Sequence, residues 1–532
     1  MALAQAAAPL SPRITTYATG WRKIIITVTV ITATIIEIID TTIVNVALNQ
    51  ISGNLGATIE DVSWVIISYA IANVIIIPMT SFLGSLLGRR KYYIGSIIVF
   101  TIASLLCGVS QNIWTLVFFR FIQGLGGGAL LSTSQAILYE TYKPEERGLA
   151  TALFGLGVVM GPTLGPVMGG WLVDNYSWHW CFFVNLPIGV FAATLSYFFI
   201  KEPIDRRRIT KIDWTGIALL TIGIGSLQFI LERGEAKDWF ETSYITYFTI
   251  IAIVSLVGFI WWELRTDEPV VDLHVMTKSS TLALAATMTF VIGYGLFGTL
   301  FIFPVFVQRL LNFTALQTGL ILFPSALTTA IFIPFVGQML QKGISPKPLV
   351  FIGFASFAFF CFDLSMETLQ SGSNDFFWPL IVRGFGLAFI FTPITVLAVS
   401  GLSGKDIGQA TALNNMVRQL GGSFGIAITN TFITNRLATH RNELISHVSL
   451  YNTETQERLN AIRSGLMWGG SSYFDAQQKA YGVLEGIVVK QSYHLAYMDA
   501  FKLMGILFVI CLIIVVFVRF KKNAMKELPE AH

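Results

Sequence analysis

Glu37 and Asp40 stand three residues apart in VITATIIEIIDTTIVNVAL, an otherwise apolar run long enough to cross a bilayer. An ionisable side chain at membrane depth costs several kcal/mol unless it faces a cavity or a partner. Helical spacing gathers Thr34, Glu37, Asp40, Thr41 and Asn45 into an arc of roughly 140°. Two carboxyls on one polar stripe have the chemistry of a proton carrier, neutral toward one compartment and ionised toward the other. The alternative is a structural pair, hydrogen-bonded to neighbouring helices.

Other polar residues sit inside apolar runs. Arg120, followed by Gln123, keeps its proton under all ordinary conditions and so needs acceptors. Either it partners Asp40 or Glu37 and modulates the proton site, or it is tied to backbone carbonyls. Arg418 lies with Asn414, Asn415 and Gln419. That cluster reads equally as a cavity wall able to bind anions and as a packing lock. Arg383 reads as a degenerate, structural copy of Arg120. Aromatic residues make up 13% of the chain, with 42 Phe, and a cavity for greasy compounds would be lined by such side chains. Tyr69, Tyr294, Phe297, Phe301, Phe391 and Met416 are the candidates, with Asn45, Gln123, Asn414 and Arg418 as polar members. The six His, among them His440 and His494, read as loop residues.

One helix-length stretch, GLATALFGLGVVMGPTLGPVMGG at 148–170, is crowded with residues that disfavour helix. Glycine costs about 1 kcal/mol and proline about 3 kcal/mol in a helix interior. Gly157, Gly161, Gly165 and Gly169 recur every fourth residue, a stripe without side chains on which another helix can pack closely. Pro162 and Pro166 free carbonyls along the span, and Gly170 closes the motif.

The elements that carry these residues follow from composition. Of 532 residues, 54% are hydrophobic and 12% charged, with mean hydropathy +0.66; soluble proteins carry about 25% charged residues. The chain is therefore a polytopic membrane protein. The four cysteines sit in apolar runs and form no disulfide framework or metal cluster. No nucleotide-binding GxxxxGK[ST] loop, metal-ligand spacing or nucleophile motif occurs, so ATP-driven transport, metal chemistry and enzymatic catalysis are not expected, and neither is nucleic-acid binding.

Fourteen spans are predicted, at 22–48, 62–84, 92–110, 113–139, 147–172, 181–200, 213–232, 245–264, 282–308, 317–340, 348–367, 377–400, 408–435 and 498–519. An even count places both termini on one side. Most of the 35 Lys and Arg fall in the segments on that side, including Arg89, Arg90 and Lys91, then Arg206, Arg207 and Arg208, then Arg519, Lys521, Lys522 and Lys526. By the positive-inside rule the termini are cytoplasmic. The chain also repeats itself: GLATAL at 148–153 recurs as GQATAL at 408–413, Pro78 is matched by Pro334, and Arg120 by Arg383. The expected architecture is all-α, with a six-helix half over 1–200, two extra helices and charged linkers over 201–280, and a second six-helix half over 281–532. That second half includes a polar outside loop at 436–497. Two related six-helix halves are the plan of the major facilitator fold.

The motifs DTTIVNVAL (40–48), RFIQGLGGG (120–128), GPTLGPVMGG (161–170), DNYSWHWCFFVNLPIG (174–189) and RQLGGSFG (418–425) together resemble the fourteen-helix drug:proton antiporters of the major facilitator superfamily, EmrB/QacA type. The resemblance covers essentially the whole chain. It implies an antiporter motif in the Gly/Pro ladder, a proton site at Asp40 with Arg120, protons as the coupling ion and no other cofactor. It also implies a bacterial inner-membrane location. For the EmrB-like members it implies, as partners, a periplasmic membrane-fusion adaptor and an outer-membrane channel, for which loop 436–497 is a docking place. Glu37 is added by its position alone. The chain departs from the family in the loop after the second span, where Ser81, Ser85 and Leu86 replace a Gly and an Asp-Arg pair while Gly88 and the basic run remain. The functional expectation is proton-coupled export of hydrophobic or amphipathic compounds by alternating access. The second reading is an uncoupled facilitator, or an exporter of an endogenous lipid-like metabolite.

Overall fold

The computed structural model describes residues 18–143, 146–202, 211–278, 280–400, 402, 405–449 and 451–517. Arg206, Arg207, Arg208, Arg519, Lys521, Lys522 and Lys526 lie outside the described residues. The first helices are α1 (Gly20–Leu55), α2 (Ile59–Leu87), α3 (Arg89–Gly108), α4 (Ile113–Thr141), α5 (Arg147–Asn175), α6 (Trp180–Phe183) and α7 (Asn185–Phe199). Next come α8 (Trp214–Arg233) and α9 (Ser243–Glu263), joined by two 3-10 turns, and the short α10 (His274–Lys278). The remainder is α11 (Ser280–Leu311), α12 (Ala315–Gln341), α13 (Pro346–Leu364), α14 (Phe377–Ala398), α15 (Lys405–Ser446), α16 (Thr453–Trp468) and α17 (Tyr473–Phe517).

Local chemistry sets the ends. Thr58 and Asn112 cap α2 and α4 by accepting the amides of Asp61 and Thr115, and Thr314 with Gln317 forms a capping box on α12. Gly88 turns the chain between α2 and α3 at φ 92°, a region open to glycine.

Among the described residues, twelve helical spans are long and apolar enough to cross a membrane, α6 and α7 together making one. The other two expected spans fall on α5, of 29 residues, and α15, of 42; α15 carries Asn414, Asn415, Arg418 and Gln419 along the part that would cross. The arrangement is compatible with fourteen crossings. The ends of the bundle are called here the terminal face, where α1 begins and α17 ends, and the hairpin face opposite.

The hairpin face corrects one expectation. Residues 436–497 are not a loop: α15 and α17 run on as unbroken helices, with α16 between them. At 1.5 Å per residue α15 is roughly 63 Å long, about twice the hydrocarbon thickness of a bilayer. Loss of apolarity marked where the chain leaves the lipid, not where the helix ends. Arg436 and His440 of α15 bond the same Asp499 of α17, at 2.6 and 2.8 Å, and Arg441 reaches Glu485 at 2.6 Å. His494 also lies on a helix, against the Glu367 carbonyl at 2.9 Å.

The internal repeat is visible in the packing. α1 packs on α5 as α11 packs on α15; α2 and α3 pack on α4 as α12 and α13 pack on α14; α3 meets α7 as α13 meets α17. The glycine ladder of α5 explains the first pair. A Cβ at Gly161 would stand 2.6 Å from Ile38, and one at Gly169 2.7 Å from the Ile43 carbonyl oxygen. Gly157 and Gly165 lie against Thr34 and Thr42 of the same helix. The stripe is therefore the seat of α1, the helix that carries Glu37 and Asp40, and α5 is assigned as continuous through Pro162 and Pro166.

The opposite side of α5 meets the second half. Gly148 and Gly337 of α12 approach so closely that a Cβ on either would lie 2.9 Å from the other's carbonyl oxygen. α2 and α15 form the corresponding second seam, where Gly408 lies against Ser81 and the Arg89 guanidinium. Arg89 also pairs with Glu140 of α4, so the basic run after α2 keeps an acidic partner on another helix although the usual Asp is missing.

The two extra helices contribute a strap across the hairpin face. α8 packs on α2. At its end Lys237 bonds Glu60 at 2.5 Å, and Arg233 donates to the Glu60 carbonyl at 3.1 Å. The same turn then reaches α15: Asn430 and Thr434 each donate to Glu235 at 2.8 Å, and Trp239 donates to Thr431 at 3.0 Å. One short segment thus holds both halves.

Two expected outcomes follow from this packing. Gly161→Leu forces the α1–α5 seam apart and lowers stability by about 1–3 kcal/mol, read as a lower melting temperature of the detergent-purified protein; an unchanged melting curve would contradict the seam. Glu235→Ala removes two hydrogen bonds to α15, about 1 kcal/mol each. Hydrogen exchange at 427–434 should then speed up by at least tenfold, with amides at 349–361 unchanged.

Candidate functional site

The polar stripe of α1 divides by how its members satisfy themselves. Thr34 and Thr41 donate to carbonyls of their own helix, at Val30 and Ile38, as hydroxyls in apolar helices do. A carboxylate has no such recourse and must find donors on other helices.

Asp40, with no exposed surface, finds three. Arg120 Nη1 of α4 donates to Oδ2 at 2.5 Å. Gln123 Nε2, one turn along α4, donates to Oδ1 at 3.0 Å, and Asn185 Nδ2 at the start of α7 donates to Oδ1 at 2.7 Å. The donors are themselves fixed. Arg120 Nε donates to the Val65 carbonyl at 3.1 Å, its Nη1 also reaches Gln123 Oε1 at 2.9 Å, and the guanidinium lies 4.1 Å from the Tyr69 ring centroid. Asn185 also donates to Ser104. A buried ion pair repays its desolvation only when the remaining lone pairs and protons are met, and here four helices meet them.

Glu37 is placed differently. It is 3% exposed, its Oε1 accepts from Asn73 Nδ2 of α2 at 2.9 Å, and its Oε2 has no partner. Gly127 of α4 leaves the space: a Cβ there would stand 3.3 Å from Glu37 Cγ. Both oxygens of Asp40 thus accept hydrogen bonds, while Glu37 keeps one oxygen open.

The second half repeats the scaffold without the acids. Arg383 occupies on α14 the place of Arg120 on α4, but its Nη atoms donate to the hydroxyls of Ser325 and Thr299, at 3.1 and 3.3 Å. Thr299 lies on α11, the counterpart of α1. Arg418 of α15 is 2% exposed, lies 5.4 Å from the Phe391 ring centroid, and both Nη atoms lack a hydrogen-bond partner. Asn415 beside it crosses to the first half, donating to Ser132 and Gln135 of α4 at 3.2 and 3.0 Å.

The structure gathers Glu37, Asp40, Tyr69, Arg120 and Gln123 into one cluster, and Arg418 acts on Glu37 through space. Phe391 belongs with Arg418. Tyr294 and Asn414 are occupied within the second half, by Thr429 and Thr289, and Phe297 packs on Gly422. Met416 joins an apolar cluster with residues of α2 and α8. Asn45 is exposed two turns along α1, and Phe301 is exposed as well. Two members escaped the sequence reading. Asn73 carried a signal as a lone amide in SYAIANVIII, and Asn185 as the Asn of the VNLPIG segment.

Residues 30–426 match the family described as Major Facilitator Superfamily. The chain is 36% identical over 463 residues to "Multidrug export protein EmrB" of Escherichia coli (strain K12), covering 86% of this chain and 90% of that one. It is 33% identical over 486 residues to "Fatty acid resistance protein FarB" of Neisseria gonorrhoeae, covering 91% and 93%. Its fold is similar to the crystal structure of the human organic anion transporter MFSD10, with TM-score 0.58 and 13% identity over 91% of this chain and 99% of that one.

Removing one partner of the buried pair tests its electrostatic nature. Arg120→Ala strands Asp40 and should cost about 3–5 kcal/mol, seen as a lower melting temperature of the purified protein. Adding Asp40→Asn should recover part of that loss; no recovery would mean that Arg120 acts by packing alone.

Proposed function

The chain belongs to the major facilitator superfamily and is a membrane transporter, and we propose that it exports hydrophobic or amphipathic compounds in exchange for protons. The observation that carries the reading is the pair of carboxylates on α1. Asp40 is locked to Arg120, Gln123 and Asn185, and Glu37 keeps an open oxygen one turn away. Both stand on the helix that the α5 glycines seat from its other face, and α5 also forms a seam with α12. Proton arrival at Asp40 releases Arg120 and loosens the joint between α1, α4 and α7. Because α1 is seated on α5, that change reaches the boundary between the halves, which is where alternating access requires it.

The relatives' names support drug export as the class of work. In this reading the terminal face is cytoplasmic, the protein lies in a bacterial inner membrane, and the helical hairpin of α15 to α17 reaches outward. There it can meet a periplasmic adaptor that hands cargo to an outer-membrane channel.

The test uses purified protein in lipid vesicles with an imposed pH gradient and a lipophilic dye. Wild-type protein should move dye against its gradient and stop when a protonophore is added. Asp40→Asn and Glu37→Gln should each lower gradient-driven transport by at least tenfold while still inserting. Wild-type rates from both variants, or transport indifferent to the protonophore, would exclude proton coupling.

A further inference from the structure

The buried charges at the centre of the bundle do not balance. Arg120, Arg383 and Arg418 face only Glu37 and Asp40 among the described buried residues of the two halves. Asp40 is committed to Arg120, and Arg383 rests on two hydroxyls. Arg418 interacts with Glu37 through space alone. Its Nη1 and Nη2 are buried without a hydrogen-bond partner, and the open Glu37 Oε2 does not meet them. Buried guanidinium N–H groups left without acceptors are costly, and the two parallel N–H groups match a carboxylate.

The surroundings of Arg418 add a second constraint. Its guanidinium lies 5.4 Å from the Phe391 ring centroid. Phe391 and Ile333 both converge on Gly155 of α5, where an added Cβ would stand 3.1 Å from each. The neighbourhood is therefore built from α15, α14 and α12 of one half and α5 of the other. It pairs a guanidinium whose Nη atoms lack acceptors with an apolar wall at the seam that must open.

We propose that Arg418 binds the anionic head of an amphipathic organic carboxylate, with the apolar body of the cargo along Phe391 and Ile333. The proposal rests on the exporter reading and names the class of cargo its site selects. Arg418 supplies two donors to the head group. The aromatic and aliphatic wall rejects small hydrated anions, which cannot replace lost hydration there.

The experiment measures equilibrium binding to the purified full chain in phosphatidylcholine nanodiscs, using four twelve-carbon probes of matched tail: dodecanoate, dodecyl sulfonate, dodecanol and dodecyltrimethylammonium. Wild-type protein should bind the two anions at least tenfold more tightly than dodecanol. R418Q should abolish that preference while leaving dodecanol binding unchanged, and R418K should restore part of it. Equal weakening of all four probes in R418Q would make Arg418 a packing residue and overturn the proposal. So would a wild-type protein with no preference for anions, a measurement that stands even if R418Q does not fold. Displacement of dodecanoate by chloride would reduce the site to a simple ion site, and displacement on adding phosphatidylglycerol would assign it to lipid phosphate; either result overturns the proposal. Binding needs no gradient, so the anion preference can fail while proton-driven dye export stands, and the reverse.

Discussion

A carboxylate buried in the middle of an apolar helix dictates much of what surrounds it. Asp40 cannot be satisfied by α1, so α4 must bring Arg120 and Gln123, and α7 must bring Asn185, to within hydrogen-bond distance. Those helices must then approach α1 closely. That requirement accounts for the glycines: the α5 ladder seats α1 on its other side, and Gly127 opens the space that Glu37 fills. The small residues and the buried charges are parts of one solution. The ladder reads as a packing device in the sequence, and in the fold it is what fixes the polar helix.

The two halves share a scaffold and differ in chemistry. Arg383 repeats Arg120 on the equivalent helix, yet it meets Thr299 and Ser325 where Arg120 meets Asp40 and the Val65 carbonyl. Hydroxyls hold a guanidinium without offering it a proton-accepting alternative. Among the described buried residues of the two halves, the acids Glu37 and Asp40 both lie in the first, and the second carries Arg383 and Arg418 without a buried acid of its own. The polar bridge from Asn415 to Ser132 and Gln135 joins them.

Spans were legible because bilayer thickness imposes a length and an apolarity that few other segments share; each expected span falls on a helix. The Asp40–Arg120 pair was legible for the same reason, since charged residues at that depth are rare. The repeat was readable from GLATAL and GQATAL and reappears as matched helix pairs. What failed to show was contact between segments distant in sequence. Asn73 and Asn185 are ordinary amides until α2 and α7 are laid beside α1. Met416 and Phe301 are apolar residues whose facing depends on which helix comes next to them. The segment 436–497 was misread because polarity reports the solvent around a helix, not whether the backbone is helical.

The continuity of α15 has a mechanical meaning. The helix runs without interruption from Lys405, past Arg418, to Ser446, and from Arg418 to its tip it spans roughly 42 Å at 1.5 Å per residue. A stiff rod of that length is a lever. Tilting it by about 10° near Arg418 would carry its far end by roughly 7 Å, and α17 would be dragged along through Arg436, His440 and Asp499. Small displacements at the buried guanidinium would thus be magnified beyond the lipid surface, where a second protein could feel them without touching the cargo.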